Sequence, residues 1–232
     1  MTSPRDVILA RLRSVQRDSV SPVPPQYAKS PEKNGVLQIP WKELADQCAA
    51  ANSQLYRFTT KNDLQTQLCA SLANCLARSI YIEENQIWTV NEMQEFLRSK
   101  PDHLSIVTET DLIDALHQGS PEKSARRQLA DCEVAITGAD FLIVSTATVV
   151  KINKPGHLRL ASLLPSIHLV LITASSILAD LDSLFLRLAA LAAMPSDVAL
   201  ITGPSRTADI EKVLVMPAHG PKELQIFVLD QE

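Results

Sequence analysis

Residues 167–173, IHLVLIT, form an almost continuous apolar run in which only His168 and the final Thr173 are polar. A strand that is covered on one face alternates polar and apolar side chains, whereas a continuous apolar run is typical of a strand covered on both faces. Similar runs recur, with helical segments between them. Strands are predicted at SQLYRF (53–58), RSIYIE (78–83), LSIVTE (104–109), DVALIT (197–202) and LQIFVLD (224–230). Helices are predicted at 41–52, 61–77, 90–99, 177–194 and 207–215. This alternation predicts a three-layer α/β/α fold with a mostly parallel sheet.

The segment CEVAITGADFLIVSTATVVKI (132–152) breaks the alternation of strands and helices. Its apolar runs predict two or three strands around a turn at Gly138, because glycine readily adopts turn conformations. An antiparallel hairpin is predicted within residues 141–152.

The N-terminal part of the chain differs from the rest. Residues 3–15 predict a short amphipathic helix, and residues 21–35, SPVPPQYAKSPEKNG, predict an extended linker that contains four prolines. The predicted organisation is therefore an arm and linker over 1–35 and an α/β domain over 36–232. A short helix is marginal alone, so its apolar stripe is expected to dock, either on its own domain or on a neighbouring protomer or partner protein.

Composition excludes several classes of protein. The net charge is −4, without the basic stripe expected of a nucleic-acid binder, and charges interrupt the longest apolar run before it could span a membrane. Charged residues also stand where a signal peptide would need its apolar region, so a cytoplasmic location is expected. The four cysteines form no C-x-x-C pair and the histidines have no metal-ligand spacing, so no metal site is predicted. The six glycines form no phosphate-binding motif.

Polar clusters that follow strands are the candidate sites, because ligands of open α/β sheets bind beyond the carboxyl ends of the strands. GPSRTADIE (203–211) carries Ser205, Arg206, Thr207 and Asp209. Free N–H groups at the start of the predicted helix, with Arg206 beside them, would attract a small anion. An ordinary helix cap with a solvated arginine explains the same residues, and this alternative stays open.

Two further clusters are weaker candidates. STAT (145–148) supplies the hydroxyls of Thr146 and Thr148, although such groups often bond to nearby backbone. NKPGHLRLAS (153–162) supplies His157 and Arg159 ahead of a predicted helical turn. No nucleophile motif supports a catalytic triad, and Glu211 is only a weak catalytic candidate.

Three stretches together carry a resemblance: ITGADFLIVSTATVV (136–150), GHLRLASLLPSIHLVLI (156–172) and ITGPSRTADIEKVLVMPAHGPKELQIFVLD (201–230). They resemble the LUD-domain family, and within it the lactate-utilisation C branch. The resemblance implies a fold akin to CoA transferases and sugar-phosphate isomerases. It also implies a part in oxidation of L-lactate to pyruvate, beside two partners that carry iron–sulfur clusters, with no cofactor held by this chain.

The resemblance has departures. The family commonly has T-G-T where this chain has Thr146–Ala147–Thr148, and Leu158 stands where small residues are usual. The leading expectation is a cluster-free accessory subunit that binds a small anion at the carboxyl edge of the sheet. A homo-oligomer is also expected among its assemblies. The alternatives are an independent CoA-transferase-like or isomerase-like enzyme using Glu211, and a non-catalytic sensor of organic acids.

Overall fold

The computed structural model describes residues 39–98, 104–117, 122–153, 159–191, 195, 197–204, 207–208, 214–215 and 220–230. The predicted arm and linker over 1–35 lie outside these ranges. In the described ranges the α-helices are α1 (Trp41–Ala50), α2 (Lys61–Asn74), α3 (Val90–Arg98), α4 (Glu109–His117), α5 (Glu122–Ala130) and α6 (Leu181–Ala189). None of these helices is long and apolar enough to cross a membrane.

The strands form one large and two smaller sheets. They are β1 (Gln54–Phe58), β2 (Ser79–Ile82), β3 (Ser105–Thr108), β4 (Val134–Gly138), β5 (Phe141–Ile143), β6 (Thr148–Ile152), β7 (Ile167–Thr173), β8 (Ile177–Leu178), β9 (Val198–Ile201), β10 (Thr207–Ala208), β11 (Leu214–Val215) and β12 (Glu223–Leu229). The six-stranded sheet has the order β1-β12-β7-β4-β2-β3, and every neighbouring pair is parallel. A second sheet has the order β8-β5-β6-β9 and is mostly antiparallel.

Both faces of the six-stranded sheet are covered. Leu68 of α2 and Met93 of α3 are buried against Ile82 and Leu171 on one face. On the other face, α1 and the second sheet pack together, with Leu44 and Val149 against Val170. Leu112 of α4 and Leu129 of α5 cover the neighbouring part of that face. The predicted α/β/α fold is confirmed, and β5–β6 is the predicted antiparallel hairpin.

Side-chain caps fix where several helices begin. Thr60 caps α2 by accepting a hydrogen bond from the amide of Asp63 at 3.2 Å. Thr108 and Asp111 bond each other's amides at the start of α4, which satisfies donors that have no partner within the helix. Both caps directly follow strands of the large sheet, so they fix the loops at its carboxyl edge.

Two predicted helices are corrected. The helix predicted over 177–194 begins only at Leu181, because Ile177–Leu178 pairs with β5 and Asp180 caps the helix from outside. The helix predicted over 207–215 is wrong at both ends, since Thr207–Ala208 pairs antiparallel with Leu214–Val215. Helices α4 and α5 were not predicted from the sequence.

A candidate ligand-binding cleft at the switch point of the sheet

The neighbouring strands β4 and β2 lie at the centre of the large sheet. The chain continues from β2 to β3 on one side and from β4 to β7 on the other. After β2 the chain enters α3, on the face covered by α2, whereas after β4 it enters the β5–β6 hairpin on the opposite face. The loops therefore separate at the carboxyl ends of β2 and β4 and leave a crevice, the usual ligand position in an open α/β sheet.

A cleft of about 280 Å³ occupies this crevice. Its lining comes from the loop after β2, the loop after β4 and the end of β6, namely Glu83, Glu84, Asn85, Gln86, Gly138, Ala139, Asp140, Lys151, Ile152 and Asn153. We call it the switch-point cleft. The loops approach closely: a Cβ added to Gly138 would lie 2.9 Å from the Asn85 Cβ atom, so this position requires glycine.

A buried ion pair lies in the switch-point cleft. The Lys151 ammonium contacts Glu83 Oε1, and their side chains are 14% and 11% exposed. Glu83 Oε1 also accepts a hydrogen bond from the Gly138 amide at 3.2 Å. Burial raises the pKa of the Glu83 carboxyl, although Lys151 opposes that rise. A buried carboxyl with a raised pKa beside an ammonium is suited to hydrogen bonding or proton transfer.

Gln86 forms hydrogen bonds with residues at the ends of β4 and β7 and at the start of β8. Its amide nitrogen donates to the Ala139 carbonyl at 3.0 Å, and its oxygen accepts from the hydroxyls of Thr173 at 2.7 Å and Ser176 at 3.0 Å. Gln86 also borders a second cleft of about 540 Å³ at the same edge of the sheet, lined by Lys61 and Asp230 among others. The two clefts therefore adjoin at the carboxyl edge, where they share Gln86.

Among the described residues that line the switch-point cleft, three carboxylates accompany one ammonium group. Asp140 is fixed structurally, because its Oδ2 accepts from the Ile152 amide at 2.6 Å. Glu84 is exposed. These charges oppose binding of a free anion unless Lys151 contacts it directly.

The structure brings two of the predicted clusters together. The hydroxyls of Thr146 and Thr148 lie 2.7 Å apart, and the Thr148 hydroxyl lies 2.7 Å from that of Thr202, directly before Gly203. These hydroxyls bond one another, and the Thr148 hydroxyl also donates to the Thr146 carbonyl at 3.4 Å. Ala147, between them, has φ +49°, which explains why glycine suits this position.

The other predicted site residues are only partly placed. Ser205, Arg206, Asp209, Glu211 and His157 lie outside the described residues, Thr207 lies in β10, and Arg159 begins the predicted helical turn, a 3-10 turn over Arg159–Ser162. The strand before GPSRTADIE, β9, belongs to the second sheet rather than to the parallel sheet. GPSRTADIE therefore does not follow a strand of the parallel sheet, and the strand β10 lies where the helix was predicted to begin.

Sequence reasoning missed the switch-point residues Glu83, Lys151 and Gln86. One signal was present: Lys151 is the only charged residue in the apolar strand TVVKI, and a charge on a buried strand requires a partner. Among the described residues, no group of three His, Cys, Asp or Glu side chains could hold a metal ion.

The fold and the cleft define a parallel α/β protein with a second sheet on one face. The family model of the LUD domain matches residues 41–229, and the chain belongs to that family. A relative from Exiguobacterium sp., named lactate utilization protein C, is 36% identical over 107 residues, which are 44% of this chain and only 46% of that protein. The protein of the same name from Shouchella clausii is 26% identical over 90% of this chain and 88% of its own length.

A solved structure shows the same fold. The crystal structure of a DUF162 family protein from Deinococcus radiodurans superimposes with a TM-score of 0.56 at 15% identity, covering 82% of this chain and 95% of that one.

Proposed function

We propose that this protein takes part in lactate utilisation as an accessory component without an iron–sulfur cluster of its own. It works beside iron–sulfur partner proteins that oxidise L-lactate to pyruvate. The names of its relatives support the lactate role. The partners and their clusters are implied by the family resemblance of the three C-terminal stretches.

The switch-point cleft binds a small 2-hydroxy acid in this proposal. The observation that carries it is the Glu83–Lys151 pair at the switch point of the sheet. A 2-hydroxy acid complements both groups, because its carboxylate accepts hydrogen bonds from Lys151 and its hydroxyl donates one to Glu83. The pairing of Glu83 with Lys151 offsets the repulsion that a free Glu83 carboxylate would exert on the ligand.

Calorimetric titration with L-lactate tests the ligand. The double variant Glu83→Gln/Lys151→Met removes both charges together, and it is expected to weaken binding about 10- to 100-fold through loss of charge-assisted hydrogen bonds. Glu84→Gln is the matched control, since Glu84 lines the same cleft but is exposed. Removing its negative charge leaves the affinity unchanged or slightly higher. Equal binding by wild type and double variant, or no binding by wild type, contradicts the assignment.

Anaerobic co-expression with neighbouring genes tests the partnership separately. Native mass spectrometry is expected to find the protein bound to cysteine-rich partners with intact iron–sulfur clusters. Recovery of the protein alone, together with normal growth on lactate of a strain that lacks it, contradicts the accessory role.

One observation favours a second candidate, an enzyme of the CoA-transferase-like kind. Such chemistry needs a carboxyl with an altered pKa, and burial raises the pKa of the Glu83 carboxyl. The Glu83 carboxylate would attack an acyl-CoA carbonyl and displace the CoA thiolate. The thiolate would then attack the glutamyl carbonyl and release the acid. Incubation with acetyl-CoA followed by peptide mass spectrometry is expected to show a CoA adduct on Glu83, absent from Glu83→Gln. An unmodified Glu83 peptide rejects this candidate.

A further inference from the structure

Helix α6 carries large apolar side chains on its outer side as well as on its inner side. Leu184 and Leu188 are buried against the second sheet, as in any amphipathic surface helix. Leu181, Phe185 and Leu186, however, are 36%, 46% and 39% exposed. Helix α5, by comparison, exposes arginine and glutamine side chains. A helix that is apolar on both sides is normally buried on both sides, so the outer side of α6 has the composition of a covered surface.

The exposed side chains of α6 form one contiguous surface. Side chains four positions apart stack on the same side of a helix, so Leu181–Phe185 and Asp182–Leu186 form two neighbouring rows. We call these four residues the α6 surface. Rows with this spacing are the ridges that pack into the grooves of another helix. A contiguous exposed apolar surface is typical of a site where another protein binds.

The α6 surface is acidic at the end where the helix begins. Asp182 is exposed within it, and Asp180 is exposed directly before it, where its carboxylate accepts from the Ser183 amide at 2.8 Å. Arg187 is the only cation in the sequence of α6, and it lies about 140° from Asp182 around the helix axis. A protein that covers the α6 surface therefore has to supply the cation for Asp182 itself, because a carboxylate removed from water without a partner is strongly disfavoured.

A second copy of this chain does not supply that cation through α6. Antiparallel pairing of two α6 helices would place each Asp182 against Leu186 and Ala189 of the other copy, and parallel pairing would bring the two Asp182 carboxylates together. In both arrangements Arg187 is on the wrong side of its helix. The charge pattern therefore favours a different protein with basic side chains.

We propose that the α6 surface is the docking site of a partner protein, which covers it with a helix whose apolar side chains are flanked by lysine or arginine. The apolar side chains of that helix pack on Phe185 and Leu186, and a basic side chain pairs with Asp182. This inference rests on the proposed function for the existence of a partner, and it assigns the surface that the partner covers. None of the α6 residues lines the switch-point cleft.

Two variants of the α6 surface test the apolar and the charged contact separately. Each is titrated anaerobically against the partner proteins recovered from the co-expression, and interferometry measures the Kd. Phe185→Ser is expected to raise the Kd at least about tenfold, because a buried aromatic anchor is lost. Asp182→Lys is expected to raise it about tenfold and to make it less dependent on salt. Asp182 is exposed, so Asp182→Lys stays informative even if Phe185→Ser fails to fold.

Two matched controls change other surfaces in the same way. Leu76→Ser removes a leucine that is 81% exposed after the end of α2, and Asp46→Lys makes the same change of charge on the exposed side of α1. Both controls are expected to leave the Kd unchanged. A loss of affinity as large in the controls as in the α6 variants overturns the proposal.

A photo-crosslinker at position 185 identifies what covers the surface. With benzoylphenylalanine in place of Phe185, irradiation of the co-expressed complex is expected to link this position to a partner peptide that has lysine or arginine within one helical turn of apolar residues. A link to a second copy of this chain, or no link within a complex that native mass spectrometry detects, overturns the proposed surface and leaves the partnership intact. Failure of any complex to form rejects both the α6 surface and the accessory role.

Discussion

At the scale of single residues, the burial of His168 makes the free energy of unfolding depend on pH. Its imidazole is neutral in the folded protein because burial lowers its pKa to about 3, whereas an unfolded histidine titrates near pH 6.5. Between pH 3 and pH 6.5 the unfolded chain binds a proton at His168 that the folded protein does not bind. The stability that the neutral imidazole contributes is therefore complete above about pH 6.5 and is lost as the pH falls toward 3.

Acidification from pH 7 to pH 5 should therefore cost the wild type about 2 kcal/mol of unfolding free energy through this one group. Urea unfolding of wild type and His168→Gln at both pH values measures the difference, because other titrating groups are common to both proteins. An equal loss in the two proteins would contradict a neutral, buried imidazole.

The sequence predicted the fold better than it predicted the residues of the candidate site. The hydroxyls of Thr146 and Thr148 were visible in the sequence, but they bond each other and Thr202. Glu83 and Lys151 are 68 positions apart, one directly after a strand of the large sheet and the other within the second sheet, so no local pattern could pair them. The glycine-to-alanine departure at Ala147 was noticed, whereas its left-handed φ came only from the structure.

At the scale of elements, Gly203 fixes the end of β9 against the end of α1. Its φ is +71°, and an added Cβ would lie 2.0 Å from the Ala51 carbonyl oxygen, a backbone atom that cannot rotate away. Gly203→Ala is expected to lower the unfolding free energy by at least about 2 kcal/mol, because it adds both a clash and an unfavourable φ.

Chemical unfolding measures this effect, and Gly203→Asn separates the two causes. Asparagine tolerates a left-handed φ better than alanine but carries the same Cβ. Both variants should be strongly destabilised if the clash with Ala51 dominates. A stable Gly203→Asn protein would show instead that the φ angle alone sets the requirement.

The predicted central strands of the parallel sheet agree with the structure because each has a continuous apolar run and is buried on both faces, whereas the edge strands β1 and β3 are partly exposed. Short elements were predicted less well. Residues 207–215 fit a helical period, but their ends pair as strands, and a segment this short contains too few turns to distinguish the two periods. Helix α6 likewise begins late, since pairing of Ile177–Leu178 with β5 outweighs local helix propensity.

At the scale of the whole molecule, strand order decides where the candidate cleft lies. The sequence predicts strands and their approximate bounds, but the order β1-β12-β7-β4-β2-β3 depends on contacts between distant segments. That order alone places the loops after β2 and β4 beside each other. The Glu83–Lys151 pair then joins the large sheet to the second sheet across this point.

A double-mutant cycle separates the stabilising role of this pair from its proposed binding role. Lys151→Met leaves the Glu83 carboxyl buried without its ammonium partner, and it should cost about 3 kcal/mol of unfolding free energy. Glu83→Gln should cost less, because the long Lys151 side chain can turn its ammonium toward water. The double variant should be more stable than Lys151→Met alone, since no uncompensated charge remains buried. Urea unfolding of the four proteins measures the coupling, and calorimetry with L-lactate is run on the double variant. A double variant that regains stability but does not bind L-lactate shows that the two charges act on the ligand. Additive losses of unfolding free energy in the two single variants show instead that the two side chains do not interact in the folded protein.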